Sequence, residues 1–116
     1  MNTLAELTDE MVRLSRQLDK GIDFLRDETA VYAQAENDYR MAKAKAYLAA
    51  PDGTVDAKRA HTDLATGKER FEARLADGMR QAALEAVRSR RQQISALQTL
   101  VSAHKAEAEY DRTSPR

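Results

Sequence analysis

Ala49-Ala50-Pro51-Asp52-Gly53-Thr54 is the strongest break in a chain that otherwise reads as helix. Proline disfavours the helical conformation at the residue before it, and Pro-Asp-Gly is a strong turn signal. Thr54 can cap a new helix, with Asp56 in the first turn to complement its dipole. The chain is therefore expected to fold as long helices on either side of this turn. The expected class is all-α: a helical hairpin or bundle of two or three long helices, coiled-coil-like, assembling into a homo-oligomer.

The first helix is expected to start at Thr3, where Thr3 and Glu6 match a capping box. Leu4, Leu7, Met11, Leu14 and Leu18 follow at spacings of three and four, and Ile22 and Leu25 continue the pattern. This resembles a coiled-coil seam. Gly21 is expected to bend or break it, giving helices over 3–20 and 22–50. Beyond the turn, helices are expected over 54–66 and 67–110, within a single helical domain over 1–110. Thr66 and Glu69 form a second capping-box match, so the helix either restarts there or passes through with a weak spot at Gly67. Phe71, Leu75, Met79, Ala82 and Ala86 share one stripe, and Leu84, Val87, Ile94, Leu97 and Val101 form or extend a neighbouring one. Residues 111–116 read as a disordered tail.

Composition supports this class and limits the function. The hydrophobic fraction is 42%, but 21 of those residues are alanine, which favours helix and buries little area. So thin a core suggests that stability comes partly from other subunits. There is no cysteine, and the two histidines, His61 and His104, lie far apart without carboxylate patterning. No metal site and no cofactor are expected. Without paired carboxylates, a nucleophile constellation or a Gly-rich phosphate loop, an enzyme is not expected either. No apolar run approaches the roughly 20 residues that cross a bilayer. The acidic N-terminus lacks the apolar stretch of a signal peptide, so a cytoplasmic protein without membrane contact is expected.

Net charge is zero, but it is unevenly spread. Residues 1–39 hold nine acids against four bases, a balance of −5. Residues 40–105 hold thirteen bases against seven acids, a balance of +6. Such polarity suits a basic surface for an anionic partner, with an acidic arm elsewhere.

Two stretches concentrate the base. In Asp38–Leu48, Arg40, Lys43 and Lys45 come with no acid before Asp52, and Tyr39, Lys43 and Tyr47 recur every four residues. A lysine between two rings on one helix face can neutralise phosphates while bases stack on the rings, as in single-stranded nucleic-acid binding. The alternative is that the tyrosines pack in the core and the lysines are merely solvated. In the second stretch, Arg88, Ser89, Arg90, Arg91, Gln92 and Gln93 interrupt an amphipathic helix with more than a full polar turn. Three readings stay open there: an exposed turn, phosphate contact, or a polar contact with another subunit.

The runs 42–48 (Ala-Lys-Ala-Lys-Ala-Tyr-Leu) and 83–90 (Ala-Leu-Glu-Ala-Val-Arg-Ser-Arg) resemble two motifs of the phage recombination mediator proteins of the UvsY type, in order and separation. The similarity extends loosely over residues 15–105. It implies an accessory protein of phage homologous recombination that binds single-stranded DNA, assembles into a multi-subunit ring and does no bond chemistry. Such a protein helps a RecA-like recombinase replace single-strand-binding protein in the host bacterial cytoplasm. The resemblance makes Lys43 and Lys45 the principal DNA contacts. Arg40, Tyr47, Arg88, Arg90 and Arg91 complete the candidate set. The family motif tends to carry arginine where Lys45 stands, and its aromatic pair is represented by Tyr47 alone. A structural scaffold protein of a phage or bacterium, using the Leu4–Leu25 seam and ignoring DNA, is the alternative.

Overall fold

The computed structural model describes residues 3–113. Among them are three α-helices: α1 (Leu4–Ala49), α2 (Val55–Ala65) and α3 (Gly67–Thr113). The class is all-α.

The helix starts follow local chemistry. The Thr3 hydroxyl accepts from the Glu6 N–H at 3.1 Å and donates to the Glu6 carboxylate at 3.2 Å, closing the capping pair through the side chains. At the far end of α1, the Ala50 N–H donates to the Tyr47 carbonyl at 3.3 Å before Pro51 stops the helix. Thr54 then accepts from the Ala57 N–H at 3.1 Å and caps α2. Thr66, at φ −116° and ψ 18°, leaves the helical conformation for a single residue. Its carbonyl accepts from the Arg70 N–H at 3.0 Å, so α3 starts at once. The helix therefore restarts at Gly67, and α2 is a separate element. The hydroxyls of Thr62 and Thr66 are buried, and each donates to the carbonyl four residues back, at 2.8 and 2.7 Å.

Two boundaries differ from the sequence reading. α1 runs unbroken through Gly21, where a break between 3–20 and 22–50 is expected. One glycine costs a helix only about 1 kcal/mol relative to alanine, and apolar packing on both sides outweighs that. α3 continues past 110 to Thr113, with Arg112 bonded to Glu109 in its last turn. The remainder of the expected tail, 114–116, lies outside the described residues.

The chain divides into two compact units, Met1–Asp23 with Leu84–Arg116, and Phe24–Ala83. Besides Glu10, Gln17 and Glu36, the protected positions of α1 are Leu7, Met11, Leu14, Leu18, Gly21, Leu25, Glu28, Tyr32, Ala35, Tyr39, Ala42 and Ala46. The run from Leu7 to Ala46 alternates in steps of four and three. From α2 through α3 the same alternation takes Thr62, Thr66, Glu69, Ala73, Ala76, Arg80, Ala83, Val87, Arg90, Ile94, Leu97 and Val101. A seven-residue repeat of protected positions is the mark of coiled-coil packing.

In the first unit α1 and α3 run antiparallel. Leu14 lines a cavity with Gln93 and Leu97, Gln17 meets Arg90, and a Cβ on Gly21 would stand 3.5 Å from Val87 Cγ2. Leu7, Leu14 and Val87 are its buried apolar side chains, each contributing about 1.5–3 kcal/mol. Arg90 occupies a seam position between Val87 and Ile94 and donates to Gln17 Oε1 across the pair. The six-residue polar run is thus not polar for its own sake. Arg90 faces the other helix, while Arg88 bonds Glu85 at 2.8 Å and Arg91 is exposed.

In the second unit the buried apolar residues are Ala73, Ala76 and Ala83. Opposite them, Tyr32 and Tyr39 of α1 share a cavity lining with Arg70 and Ala73, again antiparallel. The Arg80 guanidinium lies 5.0 Å from the Tyr32 ring centroid, and Nη2 donates to Asp77 at 2.7 Å. The bulkier stripe of α3 stays outside: Phe71, Leu75 and Met79 are 66%, 55% and 46% exposed. Small residues face inward because the tyrosines of α1 already fill the seam.

Candidate nucleic-acid interface

The last turns of α1 and the first two of α2 are joined by the short Pro51–Gly53 turn, which brings α2 back beside α1. Between them lies an open groove of about 750 Å³ lined by Arg40, Lys43, Ala44, Tyr47, Leu48, Arg59, Thr62 and Asp63. Three of these are bases and one is an acid. Ala44 leaves the floor low, and Tyr47 and Leu48 supply an apolar wall.

The two tyrosines of the basic stretch have different surroundings. Tyr39 belongs to the seam and is half-buried, with Lys43 Nζ 5.8 Å from its ring centroid. Tyr47 is at the groove, 38% exposed, and its ring is met by Lys58 of α2, Nζ at 5.9 Å. The sequence suggests Lys43 between two rings; in the structure each ring has its own lysine. Cation–π contact holds each ammonium close to a ring face without removing its charge.

Of the candidate residues, Arg40, Lys43 and Tyr47 line the groove together. Arg40 Nε also bonds Glu36 Oε1 at 3.1 Å in an exposed pair, which an incoming phosphate can displace at little cost. Lys45 is exposed on α1, and its side chain is not part of the groove wall. Arg88, Arg90 and Arg91 fall in the other unit. Arg90 is committed to Gln17, and Arg88 to Glu85.

Arg59, in the groove wall, and Lys58, over the Tyr47 ring, are the bases that sequence reasoning missed. They are adjacent in a short helix, with no local pattern to single them out. The signal that could have found them is the turn: a helix beginning five residues after Ala50 must place its first bases near the last bases of α1.

Among the described residues no group of three or more His, Cys, Asp or Glu side chains is placed to hold a metal ion, and no helix is long and apolar enough to cross a membrane. No family model, curated protein or solved structure matches the chain.

Proposed function

We propose that the chain is a non-enzymatic single-stranded DNA-binding protein, acting as an accessory of phage homologous recombination that assists a RecA-like recombinase against single-strand-binding protein. The observation that carries this reading is the groove that Arg40, Lys43 and Arg59 line together with the partly exposed Tyr47, whose ring Lys58 also meets. A base stacks on Tyr47 while its flanking phosphates meet the cations, a sequence-tolerant arrangement. Lys45, two positions from Lys43 and so about 200° around α1, adds positive charge on the opposite side of the helix. One groove offers few charges, so useful affinity requires several copies acting on one strand. The resemblance of 42–48 and 83–90 to the mediator proteins supplies the recombination context. Under this reading the protein works in the host bacterial cytoplasm.

The test is fluorescence anisotropy of a labelled oligo-dT against a duplex of equal length. Tighter binding to the single strand is expected, and Lys43→Ala with Lys45→Ala should remove most of it while helicity is kept. Equal affinity for the duplex, or a double variant that binds normally, overturns the reading.

The exposed stripe of Phe71, Leu75 and Met79 favours a second reading, a structural scaffold whose surfaces serve only protein contacts. Salt-insensitive assembly with no DNA binding at low salt would support it.

A further inference from the structure

α3 carries a second apolar stripe besides its seam. Phe71 and Leu75 stand exposed on it, followed by Gly78 and Ala82 at steps of three and four. Gly78 lies in the helix interior, and a Cβ there would meet nothing within 4 Å. Glycine weakens a helix interior relative to alanine. Among the described residues nothing makes use of the space that Gly78 leaves open.

We infer that this stripe packs against the same stripe of a second copy of the chain, antiparallel, about a two-fold axis passing between Ala76 and Asp77. In that register Leu75 of one copy lies over Gly78 of the other, and Phe71 over Ala82. Large meets small on both sides of the axis, as close helix packing requires. The same register sets Lys68 opposite Glu85 at each end, so unlike charges flank the apolar centre. Both side chains are exposed, with only surface partners on their own helix, Glu72 at 3.9 Å and Arg88 at 2.8 Å. Such pairs are worth little and rearrange readily. Sliding the register by seven residues spoils the fit. One direction crowds Phe71 against Leu75, and the other sets Leu75 against Glu85. The contact is isologous and closes on itself. It supplies the self-association that multivalent DNA binding needs, but it does not rest on DNA binding.

The experiment uses the full chain, which has no native cysteine. Mass is measured by sedimentation across a dilution series for the native chain and for Gly78→Leu, which fills the slot while improving helix propensity. The native chain should form an even-numbered species, and Gly78→Leu should dissociate at least tenfold more readily with its helicity kept. In a second arm, Lys68→Cys and Glu85→Cys chains are mixed and oxidised. Disulfide-linked pairs should form between the two variants and not within either one. A native chain that stays monomeric, an odd-numbered assembly, a Gly78→Leu mass equal to native, or efficient linkage of Lys68→Cys chains to each other would overturn the inference. Loss of DNA binding leaves all of these readouts unchanged, so the two proposals fail separately.

Discussion

Arg90 of α3 donates a hydrogen bond to Gln17 Oε1 of α1 from a position that otherwise belongs to apolar residues. A polar pair in a helical seam fixes which residues face each other, because any slip strands both groups. A double-mutant cycle with Arg90→Ala and Gln17→Ala should give a coupling free energy of about 0.5–1.5 kcal/mol in urea unfolding. Arg90→Leu should raise stability while broadening the NMR signals of the flanking seam residues. Zero coupling would mean the bond does not hold the register.

Gly21 is predicted to be replaceable. A Cβ there would sit 3.5 Å from Val87 Cγ2, an ordinary contact. Gly21→Ala should stabilise the protein by about 1 kcal/mol, seen as a higher urea midpoint at unchanged slope. Destabilisation would show that α1 needs a flexible point there.

Leu14 and Leu48 test where the core is. Leu14 is buried in the first unit, whereas Leu48 is almost wholly exposed. Leu14→Ala should cost about 2–4 kcal/mol, and Leu48→Ala less than about 0.5 kcal/mol, by the same unfolding assay.

What the sequence disclosed follows from the range of the interactions involved. The turn at Pro51–Gly53 and the caps at Thr3 and Thr54 are chemistry among residues a few positions apart, and they are where the spacing puts them. The inward face of α3 is not legible in this way. Size alone favours Phe71, Leu75 and Met79 for the interior, yet Ala73, Ala76 and Ala83 are buried there. The choice depends on Tyr32 and Tyr39 of another helix, which no periodicity within α3 reveals. The candidate groove divides along the same line. Arg40, Lys43 and Tyr47 share one helix face and stand out by spacing, while Arg59 arrives only through folding.

Tyr39 and Tyr47 should separate stability from binding. Tyr39→Ala, which opens the seam, should lower stability by about 2 kcal/mol. Tyr47→Ala should leave stability within about 0.5 kcal/mol and weaken oligo-dT binding by about 1–3 kcal/mol. Unfolding curves and anisotropy titrations on both variants check this, and a Tyr47→Ala chain that binds normally would remove the stacking platform.

The most direct measurement is the salt dependence of oligo-dT binding by the native chain and by Lys43→Ala with Arg59→Ala. The native affinity should fall linearly in log K against log salt. The double variant should show a slope shallower by about 1.4 for each groove engaged, with helicity and mass unchanged. No binding by the native chain at low salt, or an identical slope in the double variant, would contradict the account.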